Sequence, residues 1–167
     1  LASAATLGVA VLSGMQLSAF TARSSEIIER RDKGLADLLQ SARFINRSLN
    51  VPSRSIIYDG DDVLMARSDE ALAEYMNAVS TNLKDAANLL PERRAEIEAF
   101  LARFESIRDD LKSVLAHGRS VQGLIAGRAL PQRDLDVLAD AVAIMRPADA
   151  KAMALIDDLA VMVKAVS

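Results

Sequence analysis

Between residues 21 and 57 the apolar side chains return every seven positions: Ile28, Leu35, Ala42, Leu49 and Ile56, with Leu38 and Ile45 at the intermediate point of the heptad. A seven-residue repeat places its members on one stripe of an α-helix, and such a stripe is stable only when other helices cover it. A second stripe, Arg43, Arg47, Asn50 and Arg54, runs along another face at i, i+4, i+7 and i+11. Three guanidinium groups on one stripe repel one another. The stripe therefore fits either a solvated outer face or a surface for an anionic partner.

The same spacing recurs three more times. Met65, Leu72, Val79 and Ala86, with Met76, Leu83 and Leu90 beside them, predict a second helix over 62–88. Ile97, Phe100, Phe104, Ile107, Leu111, Val114, Val121 and Ile125 predict a third over 91–126, with Gly118 at one seam position. Leu135, Leu138, Val142, Met145, Ala152, Ile156, Leu159 and Val163 predict a fourth from 131 to the end. Aromatic residues make up only 4% of the chain and Gly and Pro are few, which favours helix over sheet.

Turns are expected at 58–62, 88–91 and 127–131. Gly60 supplies the first reversal and Asp61 or Asp62 caps the helix after it, while Pro91 and Glu92 suit a helix start. Pro52 is expected to kink helix one or fray its last two turns. Pro147 should kink helix four, releasing Asp149 from the seam as a free charge. Such short connections force neighbouring helices to run antiparallel. The expected fold is all-α, an up-down-up-down four-helix bundle about 45 Å long, occupying 23–167 as one domain.

Residues 1–22 carry no charge, the first ionisable side chain being Arg23. Twenty-two helical residues just cross a bilayer core of about 30 Å. The segment fits a transmembrane helix, the apolar region of a signal peptide, or a buried helix. The transmembrane alternative is favoured, because the pattern runs from Phe20 into helix one without a stop.

Much chemistry is left without support. The chain has no cysteine and a single histidine, His117, so thiolate and multi-histidine metal sites and the usual nucleophile–base pairs are missing. There is no glycine-rich phosphate loop, and the aspartates of 59–62 lack the ligand spacing of a calcium loop. A net charge of −3 without a basic block argues against nucleic acid. No enzyme, cofactor or metal is expected.

Two local stretches add a resemblance. Val114-Leu115-Ala116-His117-Gly118, followed by Leu124-Ile125-Ala126-Gly127, makes a small-residue break at the end of helix three. Met145-Arg146-Pro147-Ala148-Asp149 leads into Leu155-Ile156-Asp157-Asp158-Leu159 in a proline-bearing helix four. With the uncharged start and four long helices, the chain resembles the four-helix-bundle sensor domain of bacterial methyl-accepting chemotaxis receptors. The resemblance implies a homodimer in the cytoplasmic (inner) membrane with its sensor bundle in the periplasm. It implies a small anionic ligand, an organic acid or amino acid, bound near the membrane-distal end between helix one and a helix of the other subunit. It further implies a slight shift of helix four that carries the signal across the membrane to a cytoplasmic module and its histidine kinase.

Arg43, Arg47 and Arg54 occupy the part of helix one where the aspartate receptor of that family grips carboxylates. Asn46 and Asn50 would add amide donors, and Gln132 or Arg133 would approach from helix four. The arginine spacing differs from that receptor's, and helix four offers no hydroxyl partner at its start. Helix one, including Phe44 and Val51, is expected to line the two-fold interface. The alternatives are the sensor domain of a membrane-bound histidine kinase or other signalling protein, and a bundle enzyme or haem carrier with His117 as axial ligand.

Overall fold

A computed structural model describes the backbone of residues 2–55, 62–120 and 132–167; among the side chains outside the described set are those of residues 1–20 and of Arg54, Met65 and Arg133. The described residues are all-helical, with no strand. They form α1 (Ala2–Ser55), α2 (Asp62–Leu89), α3 (Arg94–Ser120) and α4 (Gln132–Val166), with a short 3-10 turn at Pro91–Arg93 between α2 and α3.

Contacts between the helices give their directions. Arg103 pairs with Asp158 at 2.6 Å and Asp110 with Lys151 at 2.7 Å, so numbers rise along α3 as they fall along α4. Phe44 of α1 meets Tyr75 of α2, whereas Gly34 meets Leu90 beyond the end of α2. Leu83 and Ala87 of α2 share a cleft with Ile97 and Leu101 of α3, and Leu72 and Met76 share one with Lys112 and Leu115. These contacts are compatible with neighbouring helices that run in opposite senses. α1 also touches α4, a set of contacts compatible with four helices side by side.

The heptads build one core. Leu38, Ile45, Leu72, Val79, Leu83, Ile97, Phe104, Ile107, Leu111, Leu155 and Leu159 are buried in one cluster. Each large apolar side chain so covered contributes about 1.5–3 kcal/mol relative to exposure. Ser41 and Ser48 enter this interior on α1 with their hydroxyls donating to the carbonyls of Asp37 (2.8 Å) and Ile45 (2.7 Å), so no polar hydrogen is left bare.

Several expectations need correction. Ile28 is 59% exposed, so the α1 seam starts at Leu35. Of the two α1 residues expected at a two-fold interface, Val51 is buried and Phe44 is half-buried against Tyr75. In α4 the buried series is Ala141, Ala148, Ala152, Leu155, Leu159, Met162 and Val166, while Leu135 and Val142 are 44% and 45% exposed. The helix is turned by about one position. Alanine at the crossing points lets α4 approach closely, and the β-branched Val142, Ile156 and Val163 fall to its flank. α3 becomes α-helical only at Arg94, because Pro91 opens a 3-10 turn in which Arg93 donates its N–H to Leu90 O at 2.9 Å.

Both prolines sit inside helices: α1 runs past Pro52 to Ser55, and α4 runs through Pro147. Asp149 does not escape as a free charge. It is half-buried, and desolvation raises its pKa. The expected turn at 127–131, residues 58–61 of the first turn, and Ile56, Val121 and Ile125 lie outside the described residues, as do the surroundings of Gly118 and of the Asp62 side chain. Among the described residues no helix is long and apolar enough to cross a membrane. The membrane expectation falls on residues whose side chains are outside that set.

Candidate anion-binding cleft

Between α1 and α2, beside the C-terminal part of α1 and the start of α2, lies a cleft of about 380 Å³. That is within the range of small-molecule sites. α1 lines it with Arg47, Asn50 and Val51; α2 supplies Leu64, Arg67, Ser68, Ala71 and Tyr75. The space has a plain cause. Leu64, Ser68, Ala71 and Tyr75 form one stripe of α2, and the two small residues in its middle leave a hollow between Leu64 and Tyr75. The hydroxyl of Ser68 donates back to Leu64 O at 2.9 Å.

The cationic wall is braced by aromatic contacts. The Arg47 guanidinium lies 5.6 Å from the Phe44 ring centroid, and Phe44 stacks on Tyr75 at 5.8 Å with planes inclined by 28°. A cation over an aromatic face at an exposed site gains about 0.5–1 kcal/mol. Arg47, Phe44 and Tyr75 thus form a chain of contacts that runs from α1 to α2 at the edge of the cleft. Such bracing limits the rotamers of Arg47 and reduces the entropy lost when an anion is gripped.

Of the residues expected to form the site, Arg47 and Asn50 meet in this cleft. Asn50 donates one amide N–H to Asn46 O at 2.9 Å, and its second N–H and its side-chain oxygen remain. Arg43 and Asn46 are exposed on α1 and are not among the described lining residues. Gln132 is exposed on α4, where it donates to Asp136 Oδ1 at 2.9 Å and does not join the cleft. The side chains of Arg54 and Arg133 lie outside the described residues. Arg67, Ser68 and Tyr75 were not anticipated. The signal was the Ser68–Ala71 pair of small residues beside an arginine on the stripe facing α1.

The remaining chemistry is sparse. Among the described residues no group of three His, Cys, Asp or Glu could hold a metal ion. His117 Nδ1 lies 2.8 Å from Ser113 O, which ties the ring to its own helix. No protein-family model, curated protein or solved structure matches the chain.

Proposed function

We propose that this chain is the periplasmic ligand-sensing domain of an inner-membrane chemoreceptor, an antiparallel up-down-up-down bundle anchored through its uncharged start. The observation that carries this proposal is that Arg47 and Asn50, a guanidinium and a neutral amide of one stripe on α1, line a cleft of ligand size with Arg67 of α2. Guanidinium groups bind carboxylates bidentately, and each charge-assisted contact contributes about 1.5–3 kcal/mol. Two such contacts, less the cost of association, correspond to micromolar to millimolar binding, a range suited to a sensor. The ligand is a small organic anion.

Transmission follows from continuity. α1 is one helix from Ala2 to Ser55, so the residues at the cleft and the uncharged segment share a single rod. An anion drawn between α1 and α2 changes their spacing, and α4, packed on α1, shifts with it. In the homodimer, the exposed apolar side chains Ile28 and Leu39 of α1 and Met153 of α4 supply the contact surface.

Calorimetric titration of the domain against a panel of organic acids and amino acids tests the proposal. Saturable heat with at least one carboxylate, at micromolar to millimolar affinity, is expected. A panel without any binding overturns it.

A further inference from the structure

The cleft faces α1 with one guanidinium and α2 with another, with Val51, Leu64, Ala71 and Tyr75 as apolar wall. Both cations belong to the same chain, and the hollow is bounded by two helices that already pack on each other. Arg43 and Arg47 are both exposed, but only Arg47 is among the described lining residues. The two parts of the cationic stripe therefore do different things. Arg47 lines the α1–α2 cleft, while Arg43 is exposed on α1 outside the described lining.

We infer that recognition is completed within one chain by Arg67 of α2 opposite Arg47 of α1, and that the ligand is a short dicarboxylate without an ammonium group. Two carboxylates joined by a few methylenes place an anion on each guanidinium and lay the spacer on the apolar wall. A free ammonium on the same spacer would be repelled by both arginines. Inorganic phosphate satisfies one guanidinium fork but has no body to cover Val51, Leu64 and Ala71. Bridging α1 and α2 in this way needs no second subunit. This inference rests on the sensor proposal above, but it differs in the residue and the stoichiometry that it names.

The test is isothermal titration of the wild-type domain, Arg67→Ala, Arg67→Lys and Arg43→Ala with succinate, aspartate, glutarate, glutamate and inorganic phosphate. Succinate or glutarate should bind at one per chain, at least tenfold more tightly than the amino acid of the same length and than phosphate. Arg67→Ala should weaken that binding at least tenfold, Arg67→Lys less, and Arg43→Ala by less than twofold. Circular dichroism melts of the three variants should superimpose on the wild type, since both positions are exposed. If Arg43→Ala is damaging and Arg67→Ala silent, or if one ligand binds per two chains, the site lies between subunits; the inference fails and the sensor proposal stands. Preference for aspartate, glutamate or phosphate also overturns the inference alone. Absence of binding by all five probes overturns it outright.

Discussion

At Asp37 a carboxylate sits part-buried on α1 with one oxygen, Oδ2, that has no hydrogen-bond partner. Burial raises its pKa first, and the charge of Asp85 on α2 raises it further, while Lys33 lowers it. The folded protein therefore holds this proton more tightly than the unfolded chain. Stability from this group is fully present below the ordinary aspartate range and falls as pH rises through the raised folded value. Asp37→Asn keeps the shape and removes the charge, so it should raise the melting midpoint at pH 7. That gain should vanish near pH 3, where the wild type is itself protonated. Melts of both proteins at the two pH values check this, and a lower midpoint for the variant at pH 7 would contradict it. The sequence places Asp37 beside the seam residue Leu38, but only the packing of α2 reveals that its charge is desolvated.

Among the helices, α1 and the α2–α3 corner meet most tightly at Gly34. A Cβ there would lie 2.8 Å from Leu90 Cγ and 3.1 and 3.2 Å from its methyl carbons. Leu90 is 1% exposed and braced on every side, so it cannot swing away. In an isolated helix Gly34→Ala would gain about 1 kcal/mol. Here overpacking costs about 1–3 kcal/mol, so the net effect is a loss of up to about 2 kcal/mol. Denaturant unfolding should show a lower midpoint with an unchanged slope, and a stabilised variant would contradict the contact.

The register of α4 teaches the complementary lesson. Ala152 and Leu159 belong to both the expected seam and the observed one, because each fits a stripe of period three to four. Between them, hydrophobicity favoured Val142 and Ile156, whereas close approach to the neighbouring helices selected Ala141 and Leu155. Size at a crossing point is a property of the partner surface, which periodicity in one helix does not contain. For the same reason α1's contribution to the cleft was legible and α2's was not: Arg47 stands out by its charge and Asn50 by its amide on the same stripe, while Ser68 and Ala71 matter for the room they leave.

For the whole molecule, the exposed apolar side chains are concentrated on α1 and α4, including Leu39 at 44% and Met153 at 50% exposure. On α4, Lys151 and Asp158 mark the side turned to α3, and Met153 lies away from it. Arg43 shares the α1 surface near Leu39 one helical turn away, so two copies meeting here would bring like charges together. Self-association of the isolated domain should therefore be weak, should strengthen at high salt as that repulsion is screened, and should be abolished by Leu39→Asp. Sedimentation equilibrium at rising concentration in low and high salt reads all three. A strict monomer at millimolar protein in both would remove the dimer from the account.

The central claim is that α1 grips an organic anion at Arg47. The direct measurement is calorimetric titration of Arg47→Ala, beside the wild type, with whichever carboxylate the panel shows to bind most tightly. Arg47 is exposed and outside the core, so the melting temperature of the ligand-free variant should stay nearly that of the wild type. Its affinity should fall at least tenfold, the loss expected for one charge-assisted contact. An Arg47→Ala domain that binds that ligand as well as the wild type would make the arginine stripe a solvated helix face and contradict the account.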